Sequence, residues 1–301
     1  MTEPVGFIGL GVMGSRMARR LVDAGVPVIV HDPNAAATAV LVAAGATSAQ
    51  SSAEVADRAA IVFCSLPTPH VVQQVMLGDK GVAKGGAARI AIDLSTTGAT
   101  MARTVAAGLA EAGIELLDAP VSGGAPGAEA GTLTLMVSGK REAFERVRPL
   151  LDMIGKNIFY VGEAAGLGQS MKLVNNLLFA ANLVSAMEVL VMGAKAGLDP
   201  EKILEVVNVS SGRSFVTTDR IPQTVLPRNF PERFATELLF KDVKLGIDEA
   251  ERLDSPLYMA QTVRAMLAFA VSQGDGPIDC ANLIKHFEGW AGTEFGARRD
   301  N

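Results

Sequence analysis

The stretch Val5-Gly6-Phe7-Ile8-Gly9-Leu10-Gly11-Val12-Met13-Gly14 decides the fold of this chain, because a short apolar run leads directly into glycines at G-x-G-x-x-G spacing. Met13, Met17 and Leu21 follow at four-residue spacing and predict a helix. In this order of strand, turn and helix, the first glycine permits a tight turn and the second lets the backbone approach a pyrophosphate. The third lets helix and strand pack closely. We therefore predict a dinucleotide-binding unit whose cofactor contacts are Gly9, Leu10, Gly11, Val12, Met13 and Gly14.

An acidic residue follows the second predicted strand, residues 26–30. Asp32 comes 32 − 14 = 18 residues after Gly14. Near this spacing a carboxylate accepts hydrogen bonds from the adenosine ribose hydroxyls. The same carboxylate repels a 2′-phosphate, so we predict NAD rather than NADP as the cofactor. The alternative is a simple turn residue before Pro33.

Short apolar runs alternate with helical stretches as far as residue 163, and from residue 164 no convincing strand appears. The further runs lie at 61–66, 89–93, 114–118, 132–137 and 159–161. Strands separated by helices predict an α/β fold with a doubly wound, mainly parallel Rossmann-type sheet. A chain of 301 residues exceeds the usual size of one domain. We predict an NAD-binding domain at 1–163 and an all-helical substrate and oligomerisation domain at 164–301, joined by a long interdomain helix at about 166–195.

Several loops follow predicted strands, at the edge where ligands bind in open α/β sheets. Leu66 and Pro67 begin a stiff loop, and Thr96 lies among hydroxyl residues that more commonly serve as helix caps. The small residues and prolines of 119–131 predict a loop whose backbone N–H groups, with the Ser122 hydroxyl, hold a small carboxylate. A plain flexible hairpin is the alternative for that loop.

The longest helical pattern begins at Gly166-Leu-Gly-Gln-Ser-Met-Lys172 and has one interior glycine and no proline between Gln169 and Ala196. Lys172, Asn175 and Asn176 stand at i, i+3 and i+4 and so share a helical face. A lysine is able to exchange a proton with a hydroxyl during carbonyl reduction. The alternative is an exposed lysine on an amphipathic helix.

Composition excludes several classes of function. A net charge of −5 and a pI near 5.4 argue against a nucleic-acid partner. Cys64 and Cys280 lie far apart, which fits a reducing compartment, and the isolated histidines predict no metal site. No apolar run of ~18 residues is free of glycine and charge, and the N-terminus lacks a leader pattern. We therefore predict a cytoplasmic protein with no membrane partner.

Together, these motifs resemble the β-hydroxyacid dehydrogenase family, which includes 3-hydroxyisobutyrate dehydrogenase and tartronate semialdehyde reductase. They are residues 9–14, 118–131, 166–176 and the pair Lys241-Asp242, and the resemblance covers nearly the whole chain. It implies that Lys172 is catalytic and that Ser122, Gly123, Gly124 and Asn176 bind the substrate. It also implies cofactor contacts at Leu66, Pro67, Thr96 and Lys241. Lys241 is otherwise a surface charge beside Asp242.

The resemblance implies reversible hydride transfer between NAD and the terminal hydroxyl of a short β-hydroxy acid of the 3-hydroxyisobutyrate type, by a homodimer or homotetramer. Related substrates remain open, namely L-threonate, D-glycerate or tartronate semialdehyde, and sulfolactaldehyde. A dinucleotide-binding protein without turnover also remains open. Arg213 would reach a second anionic group of the substrate or lie in a solvated turn. The C-terminal tail from Gly292 would close a neighbour's site or be disordered.

Overall fold

The computed structural model describes residues 3–296, so the end of the C-terminal tail lies outside the described residues. The chain divides into two compact units, the first ending at Lys172 and the second beginning at Leu173. The first unit is α/β and the second is helical.

The first unit contains a single nine-stranded sheet. Its strands are β1 (Val5–Ile8), β2 (Val28–His31), β3 (Thr47–Ser48), β4 (Ile61–Cys64), β5 (Ile90–Asp93), β6 (Glu115–Asp118), β7 (Val121–Ser122), β8 (Leu133–Ser138) and β9 (Gly155–Gly162). They follow the order β3-β2-β1-β4-β5-β6-β8-β7, with β9 paired to β8. All neighbours run parallel except the β6–β8 and β7–β8 pairs, which confirms the predicted doubly wound, mainly parallel sheet.

Helices cover both faces of this sheet, and strands buried on both faces read as continuous apolar runs. The helices are α1 (Gly14–Asp23), α2 (Ala35–Ala43), α3 (Ser52–Arg58), α4 (Pro69–Leu77), α5 (Ala99–Glu111), α6 (Gly124–Ala130) and α7 (Arg141–Ile154), with a 3₁₀ turn at Val82–Lys84. Phe7 and Phe63 stack at 5.9 Å in the core on one face, and their neighbours Ile8 and Val62 lie in the core on the other. This alternation is the period of two that a strand imposes.

The stretch 119–131 contains more regular structure than the sequence predicts. It holds the short strand β7 and the seven-residue helix α6, where a loop was expected. Pro126 lies in the first turn of α6, where its missing N–H would have had no intrahelical acceptor. The prolines that indicated a stiff loop are therefore compatible with a helix start.

The second unit is built from helices, and among described residues 163–296 no strand occurs apart from an isolated bridge between Ala235 and Asp279. Its helices are the end of α8 (Leu167–Lys195), then α9 (Pro200–Asn208), α10 (Thr236–Arg252), α11 (Tyr258–Ala270) and α12 (Ile284–Ala291), with π-type helices at Val216–Val225 and Val271–Asp275 and a 3₁₀ turn at Cys280–Leu283. Pro222 lies inside the first π-type helix, and residues 226–234 after it form neither helix nor strand.

Helix α8 is long and apolar enough to cross a membrane, by length and composition only, and 44% of its most apolar window is buried in the fold. The sequence predicted no membrane-spanning run here, because Glu188 and Gly193 interrupt the apolar residues. In the second unit, α8 alternates between buried residues such as Leu183 and Met187 and exposed apolar residues such as Met192.

Candidate functional site

In the glycine turn between β1 and α1, two of the glycines lie against neighbouring backbone atoms, and the third has free space beside it. A Cβ atom at Gly9, where φ is +88°, would lie 2.3 Å from the Ser65 carbonyl oxygen. A Cβ at Gly14 would lie 2.0 Å from the Gly9 carbonyl oxygen. A Cβ at Gly11 would meet nothing within 4 Å. Gly11 therefore faces free space, as the fingerprint requires of the glycine next to a pyrophosphate.

Backbone donors at this turn are available for an anion. Within residues 3–296 the N–H groups of Val12 and Met13 have no backbone acceptor in the chain. They stand at the start of α1, where the helix dipole favours negative charge. Leu10 is buried and Val12 is 63% exposed. The residues present thus fit the diphosphate of a dinucleotide.

Asp32 fastens the glycine turn to the end of β2. One carboxylate oxygen accepts the N–H of Leu10 at 2.7 Å, and the other accepts the N–H of Asn34 at 2.7 Å. Each carboxylate oxygen has a further lone pair, so Asp32 is also able to accept from ribose hydroxyls. Its role is therefore wider than the ribose contact that the sequence indicated.

Leu66, Pro67 and Thr96 follow β4 and β5 at the same edge of the sheet as the glycine turn. The Leu66 N–H donates to the Ser95 hydroxyl at 2.9 Å, which joins the two loops. A Cβ at Gly9 would lie 2.8 Å from the Leu66 side chain, so Leu66 packs against the turn. Pro67 is exposed and Thr96 is half-buried.

Ser122, Gly123 and Gly124 join β7 to α6. Ser122 pairs with Thr134 of β8 and is half-buried. Gly123 and Gly124 have φ values of +130° and +62°, which side chains other than glycine rarely adopt. The backbone of this junction is therefore fixed in a form that a substitution would strain.

Lys172 is only 8% exposed, so the surface-lysine alternative is wrong. It lies in the second turn of α8, and the first turn is held by the carboxylate of Asp118 at the end of β6. Asp118 accepts from the N–H of Gly166 at 2.8 Å, from the N–H of Gln169 at 3.0 Å and from the Ser138 hydroxyl at 2.7 Å. Burial raises the pKa of Asp118.

A second buried carboxylate, Asp93, lies beside Asp118, because the two residues are register partners in β5 and β6. Asp93 accepts from the N–H of Ser95 at 2.9 Å and from the thiol of Cys64 at 3.3 Å. Burial raises the pKa of Asp93, and the negative charge of Asp118 adds to this rise. Residue pattern alone gives no signal for this pair, because its members meet only through strand register.

In the second unit, Asn176 and Asp242 form a buried pair. The Asn176 Nδ2 donates to Asp242 Oδ2 at 2.6 Å, and Asn176 Oδ1 accepts from Asn175. The Nζ of Lys241 lies 3.2 Å from Asp242 Oδ1, an ion-pair distance without hydrogen-bonding geometry. Lys241 is therefore paired and about three-quarters buried rather than a free surface charge. Asn175 is exposed, whereas Lys172 and Asn176 are each buried.

The described residues contain no group of three potential metal ligands. Arg213 is exposed in the turn between α9 and the next helix. The predicted residues from Gly9 to Thr96, with Lys172 and the Ser122 junction, belong to the first unit, and Asn176 and Lys241 belong to the second.

Two family models match nearly the whole chain. Residues 4–162 match the NAD-binding domain of 6-phosphogluconate dehydrogenase, and residues 166–287 match the NAD-binding model of NADP-dependent 3-hydroxyisobutyrate dehydrogenase. The first unit is therefore a dinucleotide-binding domain.

Full-length relatives are also similar. The chain is 38% identical to 2-(hydroxymethyl)glutarate dehydrogenase of Eubacterium barkeri, covering 96% of each chain. It is 36% identical to 3-hydroxyisobutyrate dehydrogenase of Pseudomonas aeruginosa, over 96% of this chain and 99% of the other. A solved structure of the Mycobacterium tuberculosis 3-hydroxyisobutyrate dehydrogenase with L-serine is 31% identical, with a TM-score of 0.87 over 95% of this chain and 99% of that chain.

Proposed function

This chain belongs to the β-hydroxyacid dehydrogenase family, and we propose that it catalyses NAD-dependent, reversible oxidation of the terminal hydroxyl of a short β-hydroxy acid of the 3-hydroxyisobutyrate type. Membership makes it a hydroxy-acid oxidoreductase. The observation that carries the proposal is the burial of Lys172 on a helix whose first turn is anchored to the edge of the dinucleotide-binding sheet.

The diphosphate and ribose contacts follow from the glycine turn, and the other cofactor contacts follow from the family resemblance. The N–H groups at the start of α1 bind the diphosphate, and Asp32 accepts from the ribose hydroxyls and repels a 2′-phosphate. Leu66 and Pro67 lie along the adenosine, and Thr96 and Lys241 contact the nicotinamide end. When bound, NAD accepts the hydride that leaves the substrate carbon.

Lys172 moves the proton. In oxidation its Nζ takes the hydroxyl proton as the hydride leaves, and in reduction it returns a proton to the developing alkoxide. Asn176 orients the substrate hydroxyl, since Asp242 accepts from its Nδ2 and so fixes which way the amide points. Ser122 and the Gly123 and Gly124 N–H groups bind the carboxylate.

The names of the relatives support a narrower substrate class. 2-(Hydroxymethyl)glutarate, 3-hydroxyisobutyrate and L-serine, which appear in the names of similar proteins, share a HOCH2–CHR–COO⁻ unit and differ in R. Because the proposed contacts reach only the hydroxyl and the carboxylate, we propose that this unit is what the protein recognises. R distinguishes the relatives' substrates from each other.

A substrate panel tests the proposal. The three acids above, D-glycerate and L-threonate are assayed for formation of NADH or NADPH. Sulfolactaldehyde is assayed for consumption of NADH or NADPH. We expect turnover of a compound with the HOCH2–CHR–COO⁻ unit and a preference for NAD. Absence of turnover with every compound would contradict the proposal, and a preference for NADP would contradict the role of Asp32.

We also propose a cytoplasmic homodimer or homotetramer. In the second unit, α8 exposes two pairs of apolar residues, Val174 with Leu178 and, three turns further along, Val189 with Met192, each more than half exposed. Such a stripe on a helix is typical of an interaction surface. Light scattering after size exclusion would give the mass, and a monomer at micromolar concentration would contradict the proposal.

A further inference from the structure

One amide side chain, Gln169, ties the first turn of α8 to the turn that carries Thr96. Its Oε1 accepts from the N–H groups of Thr97 and Gly98 at 2.9 and 3.2 Å. Its Nε2 donates to the Ser95 carbonyl at 2.9 Å. Gln169 has no exposed surface. The amide therefore contacts the backbone on both sides of Thr96.

This arrangement requires a neutral amide. The side chain has to accept from two N–H groups and donate to a carbonyl at once. Lysine and arginine lack the acceptor, and an ionised glutamate lacks the donor. An apolar residue of similar size would leave three buried backbone groups without a hydrogen-bond partner, which is unfavourable. A shorter amide would not span the distance.

The first turn of α8 is also held in place by contacts to the sheet. Asp118 accepts from the N–H groups of Gly166 and Gln169. A Cβ at Gly168 would lie 2.3 Å from the Met136 carbonyl oxygen, so the helix backbone already packs directly on the strand ends. Lys172 stands three residues after Gln169, one turn further along α8. This turn therefore fixes the start of α8, and the Gln169 side chain joins it to the segment that carries Thr96.

We propose that Gln169 is a positioning residue, which sets the placement of Lys172 relative to the Thr96 turn and so to the nicotinamide. This inference rests on the proposed function, in which Lys172 moves the proton and Thr96 contacts the cofactor. Hydride and proton leave the same C–O group of the substrate, so the two sites have to be aligned with each other. Misplacement by about 1 Å is able to cost ~10²-fold in rate.

The test is a double-mutant cycle. Gln169→Leu, Lys172→Ala and the double variant are assayed with NAD and the best acid of the panel, and NADH binding is measured by fluorescence. Gln273→Leu makes the same change at an exposed glutamine of the second unit. We expect Gln169→Leu to lower kcat by about 10²-fold while KM and NADH binding change by less than about threefold. The double variant is expected to be no slower than Lys172→Ala, and Gln273→Leu to match the wild type.

The outcomes separate this proposal from the function on which it rests. If Lys172→Ala keeps its kcat, the assignment of the lysine fails and the positioning proposal fails with it. If Lys172→Ala is slow but Gln169→Leu is normal, or the two losses are additive, only the positioning role is overturned. Should Gln169→Leu not fold, Gln169→Asn keeps the amide and shortens it, and has to show the same non-additive loss. Loss of NADH binding in the foldable variants would also overturn the proposal.

Discussion

At the scale of single residues, the proposed mechanism depends on Lys172, which is buried. We expect Lys172→Ala to lower kcat by ~10²- to 10⁴-fold, the usual worth of a positioned proton-transfer group. NADH binding should persist, because the glycine turn is unchanged. Steady-state kinetics with NAD check this, with Lys156→Ala, an exposed lysine of β9, as the matched control. A near-normal kcat in Lys172→Ala would remove the lysine from the mechanism.

Asp32 decides the choice of cofactor in the proposed mechanism. Asp32→Asn removes the negative charge that repels a 2′-phosphate but leaves the N–H of Leu10 or Asn34 without its carboxylate acceptor. We expect the ratio of kcat/KM for NAD over NADP to fall at least about tenfold, since 1.4 kcal/mol of charge repulsion has that effect. The variant should also lose thermal stability. Asp23→Asn, at an exposed aspartate of α1, is the control, and an unchanged ratio would contradict the assignment.

The sequence locates the residues of short motifs but not those that hold them. Gly9, Asp32 and Lys172 stand at recognisable spacings within a strand, turn and helix. The sequence predicts that Gln169 lies at the start of a helix, but it does not predict the contacts of its side chain. The partners of that side chain lie more than 70 residues earlier in the chain. Nothing local distinguishes an amide that bridges two backbone segments from one in solvent.

At the scale of elements, the ends of β5 and β6 hold two adjacent buried carboxylates, Asp93 and Asp118, which shape the turns that follow. The sequence predicts these strands well, since short apolar runs separated by helical stretches are typical of buried parallel strands. It does not predict α6 or the π-type helix around Pro222, because prolines and glycines mark turns and helix starts alike.

The Asp93 carboxyl should make stability depend on pH. Its folded-state pKa is raised by burial, so the folded protein binds a proton more tightly than the unfolded chain does. The contribution of Asp93 to stability is then fully present below the ordinary value of 3.8 and is lost as the pH rises through the folded-state pKa. We expect the free energy of unfolding of the wild type to fall relative to that of Asp93→Asn as the pH increases.

Urea unfolding between about pH 4 and pH 8 measures this difference. Asp79→Asn, at an exposed aspartate, is the matched control over the same range. If Asp93→Asn shows a constant offset from the wild type, the carboxyl does not contribute to the pH dependence.

At the scale of the whole molecule, each compact unit contains one buried cysteine, Cys64 in the first and Cys280 in the second. Burial raises the pKa of Cys64 well above its usual value and that of Cys280 to about 11, so neither thiol forms a reactive thiolate in the fold at neutral pH. Each thiol therefore reports the opening of its own unit.

Pulsed thiol labelling, read by mass spectrometry of the two cysteine peptides, measures how often each unit opens. We expect both cysteines to be protected in native buffer and to become labelled as urea is added. NAD should slow labelling of Cys64 more than that of Cys280, because ligand binding stabilises the unit that holds it. Cys64→Ser serves as the control for peptide assignment. Labelling of either thiol within seconds in native buffer would contradict the prediction.

The glycines of the first turn look alike in sequence, yet the forces that preserve them differ. Gly9 and Gly14 are required by the chain's own backbone, whereas Gly11 borders open space. A related chain that no longer bound a dinucleotide would still need Gly9 and Gly14 to fold. Such a chain would tolerate a substitution at Gly11. We therefore expect loss of Gly11, with Gly9 and Gly14 kept, to mark a related chain that folds but no longer binds a dinucleotide.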